Sequence, residues 1–199
     1  MDQTPQPAPS ERDALRRRLR SARAALPALA RIEAAQAVAE RLQAHPALQQ
    51  PGYVAGYWAV AGELPLHAVL GLLPAGAVYC LPRLHPEGRL VFAPWRFGDS
   101  VTPNRFGIPE PDLELASCLE ATELHAVLVP LVGFDRRGNR LGTGGGWYDR
   151  TFAFRQESGA PPWLVGVGFA EQEIAAVPAE AWDVRLDAVV TERELILPA

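Results

Sequence analysis

The chain reads as an α/β protein, a single three-layer α/β/α domain built on a central mixed, mostly parallel sheet. Three observations predict it. Short apolar runs suited to buried strands recur along the whole length, at residues 53–59, 126–129, 164–169 and 188–190. Segments with helical spacing of apolar residues alternate with them, the order that builds parallel sheets. Turn residues 86–88 separate two further short strand candidates, 78–81 and 90–94, and a hairpin there makes the sheet mixed.

The elements follow in order. Residues 1–10, rich in Pro and Gln, read as a disordered tail, leaving 11–199 as the single folded domain. Ser10 is a fitting N-cap, and Glu11 and Asp13 suit the first turn of a helix over 11–25. Pro27 closes that helix. A second covers 29–44 and stops ahead of Pro46. The strand 53–59 comes next, then a short helix at 67–73. Residues 103–111, dense in Pro and Gly, read as an irregular loop. A helix is expected over 148–156. Nothing repeats internally, and no Ser/Gly linker divides the chain.

Composition excludes several function classes. No apolar stretch approaches the ~18 residues of a membrane-spanning helix. The N-terminus lacks the charged start and apolar run of a secretory signal, so a cytoplasmic location is expected. The net charge of −4 argues against a nucleic-acid binder. Cys80 and Cys118 stand far apart with no Cys/His cluster, which disfavours zinc, iron–sulfur and dithiol chemistry. All 19 basic residues are Arg. With no Lys, the chain has neither a Schiff-base amine nor a GxxxxGK[ST] phosphate loop. Any phosphate must therefore be held by Arg, backbone N–H groups or a metal.

The segment that best suits such a task runs from Asn139 to Arg150. Gly142, Gly144, Gly145 and Gly146 let backbone amides approach an anion without Cβ interference. Successive N–H groups form a concave anion nest, and the expected helix after them adds its positive end. Thr143 offers a hydroxyl, and Arg140 and Arg150 offer charge. The plain alternative is a flexible surface loop. On the first helix, Arg12, Arg16, Arg20 and Arg23 fall in one narrow sector beside the apolar sector of Leu15, Leu19, Ala22 and Leu26. Arg beside a buried seam can fork onto phosphate in a cleft. It can equally run its stem along apolar surface with its head in water. Glu63 follows the strand 53–59, where α/β sheets border ligand crevices, and could accept from a ring N–H; an exposed loop carboxylate is the alternative. Asp149, Asp183 and Asp187 are candidate ligands for magnesium, which takes one or two carboxylates beside phosphate and water. Spacing does not separate Asp183 from Asp187. Asp135 and Gly138 read as structural turn residues. The four His residues pair with no Ser or Cys motif, and GxSxG is absent.

These residues resemble the 5-formyltetrahydrofolate cyclo-ligase family, also called 5,10-methenyltetrahydrofolate synthetase. The resemblance is carried by Val129–Asp135 read through Gly138, Asn139, Arg140, Leu141 and Gly142, then Gly144, Gly145, Gly146, Tyr148, Asp149 and Arg150. Leu15-Arg16, Glu63-Leu64, Leu81-Pro82-Arg83, the segment 106–111 and the tail from Asp183 to Glu192 support it. It implies a three-layer α/β fold and an ATP- and magnesium-dependent ring closure of a reduced folate. It implies ATP binding by Arg12 (where the family carries Lys), Arg16 and the span Arg140, Leu141, Gly142, Thr143, Gly144, Gly145, Gly146, Trp147 and Tyr148. Substrate contacts fall to Trp58, Glu63 and Trp147, and magnesium to Asp149 and Asp183. Arg140, Tyr148 and Asp149 are the expected catalytic residues. The implied partners are reduced folate and ATP, with a monomer expected. Two other readings stand beside it: a non-catalytic folate- or nucleotide-binding protein, and a sugar-phosphate isomerase on a related scaffold.

Overall fold

Ser10 starts the first helix as its side chain accepts the Asp13 N–H at 3.2 Å. The computed structural model describes residues 10–198, so the tail expected at 1–10 lies, but for Ser10, outside the described residues, as does Ala199. Helix α1 (Glu11–Ala24) ends before Pro27. Pro27 then stands as N-cap of α2 (Ala28–Ala44), its fixed φ suiting the entry to a helix. Strand β1 (Gly52–Ala55), helix α3 (His67–Leu70) and strands β2 (Ala77–Leu84) and β3 (Leu90–Pro94) follow. Next come β4 (Val101–Pro103), β5 (Pro109–Pro111), β6 (Ala126–Pro130), β7 (Gly133–Phe134) and β8 (Arg140–Leu141). The order closes with α4 (Trp147–Thr151), β9 (Trp163–Val167), β10 (Ala188–Val190) and β11 (Leu195–Ile196).

Seven strands form one sheet in the order β11-β10-β9-β6-β1-β2-β3. The five central strands run parallel, and β3 and β11 pair antiparallel at the two edges. The expected mixed, mostly parallel sheet is thus present. Its side chains alternate between two buried faces, as the pleat requires. Val54, Leu128, Val165 and Val190 pack with Val38, Ala39 and Leu42 of α2 on one face. Ala55, Val127, Leu164 and Val189 pack with Phe152, which follows α4, on the other. These give the three layers.

Several bounds differ from the sequence expectation. Strand β1 ends at Ala55, although the Gly56 N–H still donates to the Cys80 carbonyl at 3.0 Å; a Cβ on Gly56 would stand 2.0 Å from the Tyr79 hydroxyl. The helix expected at 67–73 stops at Leu70. Residues 103–111 are not irregular: β4 and β5 pair antiparallel, Thr102 opposite Glu110. Glu110 explains why, since its buried carboxylate accepts the Leu84 N–H at 2.9 Å and the Asn104 side-chain amide at 2.8 Å, fastening the hairpin to β2. The helix expected at 148–156 breaks at Phe152 (φ −106°, ψ 17°) into α4 and a 3₁₀ turn, Ala153–Gln156. The strand read at 164–169 starts at Trp163 and ends at Val167.

Candidate active site

Strand order reverses between β1 and β6. From β1 the chain builds outward through β2 and β3, then returns to β6 and builds the other way through β9 and β10. Ligand crevices in α/β sheets open beyond the carboxyl ends of the strands at such a reversal. A cavity of about 590 Å³ lies there, lined by Tyr57, Trp58, Val60 and Glu63 after β1 and by Pro130 at the end of β6.

The glycine run forms another wall. It follows the β7–β8 hairpin, and Leu19 of α1 packs on that hairpin with Val132 and Leu141. This seam sets the Arg sector of α1 beside the glycine run. Arg16 Nε donates to the Gly142 carbonyl at 2.9 Å, and Arg20 donates to the Thr143 carbonyl at 3.0 Å. Thr143, Gly144 and Gly145 remain exposed, and all three line the cavity together with Arg12, Arg16 and Arg140. The solvated-face alternative for the Arg sector therefore fails for Arg12 and Arg16. The apolar sector is also rotated from its expected position: Ala22 is exposed, and Arg23 takes the buried position at 2% exposure. Helix α4 is only five residues long, so few peptide dipoles align behind the glycine run. The cations at this wall are instead the guanidinium groups of Arg12, Arg16 and Arg140, each paired with an Asp.

The acidic residues separate cleanly. Asp149 accepts from Arg140 at 2.7 Å and from the Val184 N–H at 3.2 Å, both on Oδ1. Asp183 pairs with Arg12 at 2.7 Å and accepts the Glu180 N–H at 2.9 Å. Both line the cavity. Asp187 lies outside it, tied to Arg155 at 2.8 Å and to the Leu164 N–H at 2.7 Å. Among the described residues no group of three or more His, Cys, Asp or Glu gathers as a ready metal cage. Asp149 and Asp183 are nevertheless the hard oxygen donors that magnesium takes when phosphate and water complete its shell.

Tyr148 stacks on Phe152 at 6.2 Å, and the Arg140 guanidinium stands 5.7 Å from its ring. Burial pushes its hydroxyl well above the usual phenol range, which keeps it protonated. Burial likewise raises the Glu63 carboxyl, while a hydrogen bond from the Val60 N–H at 3.1 Å and the charges of Arg23 and Arg20 pull it back. Trp58 meets Trp95 edge to face at 5.8 Å. Trp147 lies between two cations, Arg105 and Arg150, at 5.3 and 5.2 Å from its ring, and Phe106 meets it at 6.3 Å.

Every residue that the resemblance assigned to ATP, substrate or magnesium thus borders one cavity, apart from Leu141, which is fully buried, whereas Arg20, Arg23, Arg150 and Asp187 do not line it. Sequence reasoning missed Asn104, Phe106 and Ile108, which the β4–β5 hairpin brings to the cavity, and Tyr57, Glu180 and Trp182. The segment 106–111 did carry a signal, as part of the resemblance, but no local chemistry distinguished its residues.

Comparison with known proteins bears out the family resemblance. Residues 8–192 match the model of the 5-formyltetrahydrofolate cyclo-ligase family. A 5-formyltetrahydrofolate cyclo-ligase of Haemophilus influenzae is 35% identical over 179 residues, covering 88% of this chain and 95% of that protein. The Escherichia coli cyclo-ligase is 36% identical over 178 residues, covering 87% and 96%. The solution structure of Aquifex aeolicus 5,10-methenyltetrahydrofolate synthetase superposes with a TM-score of 0.80 at 25% identity, covering 94% of this chain and 93% of that one. A Mycoplasma pneumoniae 5,10-methenyltetrahydrofolate synthetase shares the fold with a TM-score of 0.72 at 21% identity, covering 92% and 99%.

Proposed function

Because this chain belongs to the 5-formyltetrahydrofolate cyclo-ligase family, we propose that it converts 5-formyltetrahydrofolate to 5,10-methenyltetrahydrofolate, using ATP and magnesium and releasing ADP and phosphate. One observation carries the reading. A single cavity is lined both by a half-buried carboxylate with aromatic neighbours, Glu63 and Trp58, and by an Arg-flanked glycine run with two Asp. The first set suits a flat heterocycle bearing N–H donors. The second suits a polyphosphate.

The chemistry joins two nitrogens through the formyl carbon. The formyl oxygen attacks the γ-phosphorus, the bond to the β-bridging oxygen breaks, and ADP leaves. The second folate nitrogen then attacks the activated carbon and loses its proton, and phosphate departs with the former formyl oxygen. An amide-like oxygen is a poor leaving group, and phosphorylation makes it a good one. In such a transfer the protein mainly positions groups and stabilises charge. Arg140 and Arg16 hold phosphate oxygens, helped by the amides of residues 142–146 and by Arg12. Glu63 accepts from the pterin ring, Trp58 lines its pocket, and Trp147 offers its face to the substrate. Tyr148 donates a hydrogen bond and keeps its proton. Asp149 and Asp183 would hold magnesium, which supplies charge neutralisation on the phosphates when bound.

The reading carries with it a cytoplasmic monomer without nucleic-acid or membrane partners. No helix among the described residues is long and apolar enough to cross a membrane.

The test is direct. Folded protein mixed with 5-formyltetrahydrofolate, magnesium and ATP should produce the absorbance of the methenyl product, and omitting ATP should abolish it. Equal signals with and without ATP, or none at all, refute the proposal. Tight folate binding by calorimetry with zero turnover over hours would instead support a non-catalytic binding protein.

A further inference from the structure

Arg23 is a charged side chain in an unusual place. It is 2% exposed, yet it sits in no ion pair with a carboxylate among the described residues. Its guanidinium forks between two backbone carbonyls: Nη2 donates to Ala61 at 2.9 Å and Nη1 to Leu131 at 3.3 Å, while Nε has no hydrogen-bond partner among the described residues. Burying a charge on such terms is costly and calls for a role. The two carbonyls are informative. Ala61 belongs to the loop after β1, and Leu131 directly follows β6. Arg23 thus ties together the two segments that leave the sheet where its strand order reverses.

The Ala61 end of the fork is strained. Ala61 has φ +49°, the only positive φ at a non-glycine among the described residues, and Gly62 follows at φ +79°. A non-glycine residue holds such a conformation only when its surroundings over-determine it. Here they do. Arg23 holds the Ala61 carbonyl, the Glu63 N–H donates to Val60 at 3.0 Å, and the Glu63 carboxylate accepts the Val60 N–H. Arg31 of α2 backs the turn, since a Cβ on Gly62 would stand 2.9 Å from its guanidinium. The turn so fixed delivers Glu63 to the cavity wall.

We propose that Arg23 is a positioning residue for the folate half of the site: it locks the strained Ala61–Gly62 turn from behind and so fixes the aim of the Glu63 carboxylate. The inference rests on the reading of Glu63 as the folate contact. Arg23 touches no substrate and acts only through the turn. Its charge also favours the ionised form of Glu63, against the burial that opposes it. Arg20, next along the Arg sector, binds the glycine run instead, so one face of α1 serves both halves of the cavity through different residues.

A double-mutant cycle tests this with the full chain. Affinity for 5-formyltetrahydrofolate is measured by calorimetry, and the apparent KM for ATP by turnover, for the parent, Arg23→Gln, Glu63→Gln and the double variant. Arg23→Gln should weaken folate binding by about tenfold or more and leave the ATP KM within about threefold. In the Glu63→Gln background the same change should cost less than about threefold, because the residue through which Arg23 acts is already lost. Arg23→Lys keeps the charge but not the fork, and should recover part of the loss; it carries the cycle if the Gln variant does not fold. Equal losses in both backgrounds, unchanged folate affinity, or matching losses for folate and ATP overturn the proposal. A parent protein that binds no 5-formyltetrahydrofolate sinks the folate reading itself, whereas binding that survives Arg23→Gln sinks this inference alone.

Discussion

Asp149 is proposed to carry two duties. It neutralises Arg140, whose side chain is only 6% exposed, and both of its hydrogen bonds fall on Oδ1. The proposed magnesium would take the second oxygen, Oδ2. Asp149→Asn keeps the shape but removes the charge. Turnover should fall by about tenfold or more, with folate affinity within about threefold, since the lost interaction stabilises the reaction rather than ground-state binding. Steady-state kinetics and calorimetry on one preparation check this, and turnover within a few-fold of the parent removes Asp149 from the metal site. Arg140→Ala should raise the apparent KM for ATP by roughly tenfold, in line with the strength of Arg–phosphate pairs. An unchanged ATP dependence removes Arg140 from the phosphate site. At this scale the sequence was most legible. The glycines, Arg140, Tyr148 and Asp149 lie within a dozen positions, so short-range chemistry was enough to bring them together. Arg23 belongs to the Arg sector, but its burial against the Ala61 and Leu131 carbonyls is not legible there, because a helical projection shows a residue's direction but not what lies opposite.

The glycine run shows what an element adds to its residues. Gly146 caps α4 with φ +64°, and a Cβ there would stand 2.7 Å from the Arg150 guanidinium. Gly146→Ala should cost ~1–2 kcal/mol in the left-handed region and shift the neighbouring amides. Denaturant titration should register the stability loss, and the ATP KM should rise with it. A variant as stable as the parent would show that the loop relaxes without strain. The larger elements were readable from apolar runs and caps, but their ends and the short strands β4, β5, β7, β8 and β11 were not. Tyr79 of β2 leaves room only for a glycine at position 56, just past β1, and β4 and β5 are fastened by Glu110 to β2 and Asn104. Each of these causes lies on another segment, so no local window contains it.

The whole molecule depends on a few buried polar ties between segments, and Asp135 is the clearest. It is 1% exposed. Burial pushes its carboxyl up, but hydrogen bonds from the Asn139 side chain and the N–H groups of Val177, Arg137 and Asn139 outweigh it and hold the group below the usual carboxylate range. A depressed folded-state pKa means that the unfolded chain takes up the proton first. The contribution is therefore present in full above the unfolded value of about 4 and is lost as pH falls below it. Asp135→Asn should cost roughly 1.5–3 kcal/mol at pH 7, the scale of hydrogen bonds to a charged group. It should also flatten the acid limb of stability, and denaturant midpoints measured at pH 7 and at pH 3 check both effects. A parent-like slope below pH 4 in the variant would assign the acid limb to other carboxylates.

The sequence by itself determined the layered α/β architecture, the absence of Lys-based phosphate chemistry, the glycine cluster and the family. All of these rest on neighbours along the chain or on composition, which the order of residues states directly. Tertiary structure decided which surfaces meet. It set Arg16 against the Gly142 carbonyl across 126 positions and brought Asp183 rather than Asp187 into the cavity. It also buried Arg23 behind the turn that carries Glu63. Such contacts arise from the order of strands in the sheet and the packing of α1 on the β7–β8 hairpin. Apolar spacing encodes which side of an element is buried, not which distant segment it will find there.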